Sequence, residues 1–279
     1  MERCLKFVTI PLGAILEWIY ENIAFQNYGL AIIFFTLVMR FALMPLMIKQ
    51  YTSTIKMQEI QPELKALQEK YKNDPQQLNM ELANLYKKNG INPLGGCLPL
   101  LIQMPVLFSL IYVIGKPLTY MKGMSAEAIA KLVEAVPQAQ RIKGFYEQLS
   151  VVGIGENPIL NMRFLGMDLA NIPTIDFNKI FHSGNTREYL LLLSLPILAT
   201  VATYISSKLT MKSNMNNKNA ENDQMASMSK NMMYIGPILT LLFSFQFPAG
   251  LSIYWIVGYV FQIAQQLYMN KYVIGKNEI

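Results

Sequence analysis

The apolar stretches of this chain contain almost no ionisable groups, and the rest of it is poor in the residues that build active sites. His182 is the single histidine among 279 residues, so no histidine triad or histidine cluster can be assembled. The two cysteines, Cys4 and Cys97, lie far apart and show no metal-ligand spacing. Cys97 abuts an apolar span and reads as a small packed residue. Cys4 follows Met-Glu-Arg rather than an apolar stretch ending in small residues, so no cleaved signal is expected ahead of it. No glycine loop that could cradle a phosphate and no paired-carboxylate site is evident. No basic block is dense enough for a phosphate stripe, so the net charge of +6 reflects topology and no nucleic-acid recognition is expected. These absences argue against an enzyme: no catalytic residue, no metal and no cofactor are expected. What dominates is hydrophobicity, 52% of residues against 15% charged, the balance of a polytopic membrane protein.

The central stretch is 28–49, YGLAIIFFTLVMRFALMPLMIK. It is long and apolar enough to cross a bilayer as a helix, yet it carries Arg40. Arginine cannot shed its proton, so burial cannot neutralise it. Its placement mid-span costs about 2.5–3.5 kcal/mol on insertion scales. Four further apolar spans are read at 93–116, 188–208, 231–247 and 252–270. Their interiors hold no Asp, Glu, Lys, Arg or His, with Glu188 at an outer edge. No intramembrane carboxylate is therefore offered to Arg40, and a proton relay lacks its carriers. Lys49 is nine residues on, roughly 13 Å along a helix, farther than a side chain comfortably snorkels. A hydrated cavity in one half of the membrane, open toward the Lys49 side, satisfies the charge. A snorkelled arginine on a tilted helix is the competing account.

The expected architecture is all-α and polytopic: five transmembrane helices, a cytoplasmic helical hairpin and an N-terminal interfacial helix. Residues 7–25 contain Pro11, Glu17 and Glu21, with Trp18 and Tyr20 suited to an interface, so a helix lying on the membrane is read within 1–27; a sixth span is the alternative. In the arm at 50–92, Met57, Ile60, Leu64, Leu67 and Tyr71 follow coiled-coil spacing. Asn73-Asp74-Pro75 marks a turn and helix start, and Leu78, Leu82 and Leu85 continue the seam to a stop near Gly90. So small a hairpin is expected to be mobile. Its mixed charges read as a solvated face or, more sharply, a docking surface. The segment 117–187 holds a helical stretch near 125–149 and is broken up afterwards by Gly153, Gly155, Pro158, Gly166 and Pro173. A linker at 209–230, overlapping an Asn/Lys/Met-rich tract at 211–232, joins spans three and four, and a tail follows at 271–279. Span four is slightly short for a 30 Å hydrocarbon layer, which favours local thinning of the bilayer. Lys49 to Lys88, Lys208 to Lys230, Lys271 and Lys276 fall on one side of five spans, which places the N-terminus outside and the C-terminus in the cytoplasm.

A polar cavity that stops halfway, a thinned bilayer and a mobile arm beside the cavity mouth suit a polypeptide entering lipid from the cytoplasm. The residues TLVMRFALMPL (36–46), QYTSTIKMQEIQP (50–62), NPLGGCLPLLIQMP (92–105), FPAGLSIYWIV (247–257) and QIAQQ (262–266) closely resemble the YidC/Oxa1/Alb3 membrane insertases. The likeness spans nearly all of 28–116 and 187–270. It implies a bacterial plasma-membrane insertase and chaperone, with a groove open to cytoplasm and lipid. Its implied partners are nascent membrane proteins and the lipid bilayer, with the Sec translocon and the ribosome as further ones. The tail after Asn270 lacks the basic extension by which some members hold ribosomes.

Carried over by motif, Arg40 is the groove cation that attracts acidic translocated segments, with Thr36 one turn above it. Gln103, Thr203 and Trp255 match other groove positions, and Leu107, Phe243, Gln246 and Phe247 the hydrophobic slide. Gln246 departs from the aromatic often found there. Blander roles stand beside these: Thr36 and Thr203 bonded to their own helix carbonyls, and Phe243, Phe247 and Trp255 simply packing or forming an interfacial belt. Gln103 wants a polar partner or water. A small-solute channel or transporter is the alternative from another class, although no glycine-interrupted half-helix pair marks inverted repeats. A scaffold that only holds helices together is a third reading.

Overall fold

The computed structural model describes residues 2–91, 98–138, 141–142, 144–153, 158–182, 184–212 and 224–271. Residues 92–97, Cys97 among them, Gly155, Lys276 and half of the 211–232 tract lie outside that set. The described chain is 77% helical with almost no sheet. In order it forms α1 (Glu2–Asn22), α2 (Tyr28–Glu59), α3 (Gln61–Lys70), α4 (Pro75–Lys88), α5 (Leu98–Gly115), α6 (Pro117–Tyr120) and α7 (Ala126–Ala135). Then come α8 (Leu149–Val152), β1 (Arg163–Phe164), β2 (Met167–Asp168), α9 (Phe177–His182), α10 (Thr186–Lys212), α11 (Gln224–Ser244) and α12 (Ala249–Met269). Residues Tyr28–Ser53 and Thr186–Thr210 are long and apolar enough to cross a membrane; Gln103–Gly115 and Met233–Ser244 are shorter apolar helices. This is an all-α membrane protein. Two compact units divide it, Met1–Arg40 with Leu107–Ile279, and Phe41–Val106.

In the first unit, one short stretch of the outer segment ties together the starts of three long helices. The Asn161 carbonyl accepts from the Tyr28 amide at 3.0 Å, and the Asn27 side chain donates to the Arg163 carbonyl at 2.9 Å, which fixes the first turn of α2. The carbonyls of Asn171 and Leu169 accept from Ala249 and Gly250, at the first turn of α12. Glu188, in the first turn of α10, accepts from the Asp168 amide at 3.1 Å and from the Asn171 side chain at 3.2 Å. Amides at a helix start have no partner within the helix, so these bonds satisfy groups that apolar surroundings would leave costly. Beside Glu188, burial raises the Asp168 carboxyl above its usual range, and the Glu188 charge adds to the rise. The stretch is shaped by the β1–β2 hairpin, whose turn residues Leu165 and Gly166 sit at φ 49° and 82°. Both positive angles at a two-residue turn are the geometry that matches strand twist.

α2, α10 and α12 therefore start from a common layer, while α5 and α11 end at it. Gly115, the last residue of α5, packs under Phe145, whose ring meets Tyr112 at 5.1 Å, with the Lys116 ammonium 4.9 Å from the Phe145 centroid. α11 ends at Ser244, four residues ahead of Pro248, the cap of α12. Alternation of this kind is what sequential membrane-crossing helices with short connections require. Between α10, α11 and α12 the packing is partly polar. Thr203 on α10 lies 3.3 Å from Thr240 on α11, and the Thr210 hydroxyl on α10 donates to the side-chain oxygen Oε1 of Gln266 on α12 at 3.0 Å. Such hydrogen bonds hold helices where the hydrophobic effect gives no drive.

α1 covers the same layer. It buries Leu12, Leu16, Ile19 and Tyr20 and exposes Phe7, Ile10, Ile15 and Trp18. Glu17 and Glu21 both pair with Lys122. Burial lowers the Lys122 pKa, but the two carboxylates outweigh it and the net shift is upward. Against the helix expected over 7–25, within 1–27, α1 begins earlier and stops at Asn22, because Phe25 and Gln26 turn to φ 52° and 54°. The expected helix over 125–149 is also shorter: α7 ends at Ala135, since Val136 precedes Pro137 and is forced to extended angles, φ −79° and ψ 136°.

α1 meets α6 at Gly13. A Cβ there would lie 2.1 Å from the backbone oxygen of Tyr120, an atom that cannot rotate away. Gly13→Val therefore overpacks the junction by about 3 kcal/mol or more. The expected result is a fall of roughly 6–12 °C in the unfolding temperature of the detergent-solubilised protein. Ala14→Val, on the exposed face of the same turn, serves as the control that should barely move it.

The second unit contains the helical hairpin with a core of its own. Ile60, Leu64, Leu85 and Ile91 are buried, and Met57, Leu67, Leu82 and Tyr86 pack against them. Asp74 caps α4, accepting from the Gln77 amide at 3.0 Å, with Pro75 in the first turn. α2 does not stop at Lys49 but runs to Glu59, and Pro62 then opens α3.

Candidate functional site

Arg40 is half-buried, one turn beyond Thr36 on α2. Its guanidinium reaches α12 and lies on the bare Cα of Gly258. A Cβ at that glycine would meet Nη2 at 2.6 Å, Nε at 3.3 Å and Cζ at 3.4 Å. Among the described residues Arg40 makes no ion pair and no hydrogen bond. Eight residues earlier on each helix the relation repeats: a Cβ at Gly250 would meet Ile32 Cδ1 at 3.0 Å. Equal offsets on both helices mean that α2 and α12 run parallel, with the two contacts about 12 Å apart.

The other expected site residues fall into separate groups. Phe243, Phe247 and Trp255 come together in a chain of edge-to-face rings, with centroids 5.9 Å apart for the first pair and 6.3 Å for the second. This geometry suits the ring quadrupoles. Gln246 is exposed beside that chain, and Leu107 is half-buried on α5. Trp255 precedes Gly258 by three residues, so the ring and the seat of Arg40 share one face of α12. Thr36 is fully buried and its hydroxyl donates to the Ile32 carbonyl at 2.6 Å. Thr203 is 2% exposed and donates to the Ala199 carbonyl at 2.7 Å while touching Thr240. Both hydroxyls are thus spent on helix backbone, the blander of the two roles the sequence offered them. Gln103 belongs to the second unit, where it is half-buried and engaged with its surroundings.

Gly258 belongs to none of the site positions expected from the sequence. Its signal was a glycine with bulky neighbours on both sides, Tyr254 to Val257 before it and Tyr259 to Phe261 after it, in a helix that needs no bend there. The clasp at 158–171 leaves no residue signature for its bonds to α2 and α12, because on its side main-chain carbonyls make them.

A half-buried cation without an anion among the described residues, set beside an aromatic chain in a helical membrane protein, meets a direct comparison. The family model of the 60Kd inner membrane protein matches residues 18–276. The chain belongs to that family, the YidC/Oxa1 family. Members of the YidC/Oxa1 family are membrane protein insertases and not enzymes, which agrees with the lack of catalytic groupings in the sequence. Membrane protein insertase YidC 2 of Bacillus anthracis is 35% identical over 270 residues, covering 95% of this chain and 80% of the relative. Membrane protein insertase MisCA of Bacillus subtilis (strain 168) is 33% identical over 276 residues, covering 98% and 81%. Membrane protein insertase YidC of Chlorobium limicola is 35% identical over 268 residues, but these make up 36% of that longer protein. Membership of the YidC/Oxa1 family places the chain in a bacterial cell membrane.

Proposed function

We propose that this chain inserts nascent membrane proteins into the bilayer and helps them fold, through a hydrophilic groove closed on the outer side and open to cytoplasm and lipid. Arg40 carries the reading: a permanent charge, half-buried and without an ion pair among the described residues, has its donors free for an acidic segment in transit. α2, α5, α10, α11 and α12 are the five spans, with the N-terminus outside and the C-terminus in the cytoplasm. The layer that clasps the starts of α2, α10 and α12 is the outer seal. Water enters from the cytoplasm as far as Arg40, so a short polar tail crosses only the remaining apolar half. The hydrophobic helix that follows leaves sideways along Leu107, Phe243, Gln246 and Phe247. Trp255 lines the groove, while Thr36 and Thr203 hold its walls from behind. The hairpin is a cytoplasmic docking arm for the substrate's delivery machinery, the Sec translocon or the ribosome.

Proteoliposomes holding only this protein test the reading. The expected result is protease-protected insertion of a single-span substrate with a short acidic tail, without leakage of an entrapped dye. Dye flux without insertion overturns it in favour of a solute channel.

A further inference from the structure

We propose that Gly258 is a positioning residue for Arg40, a seat whose missing side chain fixes the guanidinium against the backbone of α12. The inference rests on the reading of Arg40 as the group that meets acidic segments. Glycine inside a helix costs about 1 kcal/mol relative to alanine. At Gly258 the backbone gives nothing in return, since its φ lies outside the left-handed region that favours glycine. The return is space. Gly258 is buried, and the first atoms a Cβ would meet all belong to the Arg40 side chain. Even alanine would displace them, the nearest contact being 2.6 Å.

Such a seat answers a specific difficulty. An arginine side chain has about 2 kcal/mol of rotamer entropy to lose on being fixed. Carboxylate partners usually fix it, but a carboxylate would also occupy the donors that an incoming acidic segment needs. A flat surface without polar side-chain atoms fixes the plane of the guanidinium and leaves its N–H groups available. Gly250 makes the contrast. It accepts Ile32 in the same way one contact earlier, so α12 offers two glycine notches to α2 and uses the inner one for charge.

The experiment combines two readouts on the full-length protein in liposomes, with Gly258→Ala and Gly258→Leu each placed in wild-type and Arg40→Ala backgrounds. The first is the rate at which p-hydroxyphenylglyoxal modifies Arg40, followed by mass spectrometry against the exposed Arg163 and Arg187 as internal references. The second is insertion of substrates with acidic and with neutral tails. Loss of the seat should raise the relative modification rate of Arg40 at least threefold and lower acidic-tail insertion at least threefold. Neutral-tail insertion should stay unchanged, and no further loss should appear in the Arg40→Ala background. A modification rate within twofold of wild type in both variants overturns the proposal. So does an insertion loss that persists without Arg40, because the glycine then acts through helix packing alone. If the modification rate rises as expected but Arg40→Ala itself leaves acidic-tail insertion intact, the seat stands and the electrostatic reading of Arg40 falls.

Discussion

Arg40→Ala should lower insertion of a substrate with an acidic translocated tail about tenfold, while a neutral-tailed version changes by less than twofold. The magnitude follows from where the charge sits. Two opposite charges 4 Å apart attract by about 1 kcal/mol in water and about 4 kcal/mol at an effective dielectric near 20. A half-buried guanidinium in a wetted groove falls toward the lower part of that range, and tenfold corresponds to about 1.4 kcal/mol. Arg40→Lys keeps the charge and should restore most of the activity, although it loses the planar fork. Salt supplies an independent check. A water-accessible pair is screened, so the gap between acidic and neutral tails should narrow as ionic strength rises from about 0.1 M, where the screening length is about 10 Å, to about 1 M, where it is about 3 Å. Equal insertion of the two tails by Arg40→Ala and wild type, measured in a strain depleted of its own insertase, would remove the electrostatic step.

How much of this was legible beforehand depends on which atoms carry the information. The hairpin was written in side chains: Met57, Ile60, Leu64, Leu67, Leu82 and Leu85 were placed on one seam by their spacing, and all six share one core. Asp74 and Pro75 announced the start of α4 by a capping rule that needs no tertiary context. Tyr71 and Leu78, given the same role, are only partly buried and lie toward the turn that joins α3 to α4. Ile91 was overlooked because it follows the helix stop at Gly90, and a periodicity argument ends where the helix does. The apolar helices were legible as helices, but their ends were not. α2 runs ten residues past Lys49 because a helix already nucleated in the apolar part propagates cheaply, even through the middling helix formers of 51–55, and no Gly or Pro in 50–59 stops it. Arg40 stood out as a charge in an apolar run. Its partner did not, because what receives it is the absence of a side chain. Thr36 and Thr203 illustrate the converse limit: a hydroxyl on a helix has a carbonyl four residues back always within reach, so its type alone cannot say whether it faces a groove.

Deleting residues 63–88 and closing the gap with a short glycine-serine linker should abolish delivery to the protein in cells, while reconstituted insertion of a substrate added directly falls by less than about threefold. The expectation rests on the hairpin holding its own core. Ile60, Leu64, Leu85 and Ile91 bury one another, so removal of the arm takes away a separate cluster. A core of this size supplies only about 3–5 kcal/mol. Leu64, 2% exposed, makes a gentler test, because truncating a buried leucine to alanine costs about 2–5 kcal/mol, close to everything the hairpin has. Leu64→Ala should therefore unfold the arm without shortening it, seen as loss of hydrogen-exchange protection confined to residues 61–91. If delivery fails in Leu64→Ala as in the deletion, what docks is the folded surface with its mixed charges. If delivery survives in Leu64→Ala and fails only in the deletion, a linear stretch of the arm is what the partner reads. Loss of reconstituted insertion in step with delivery, in either variant, would make the hairpin part of the insertion step itself and contradict its assignment as a docking arm.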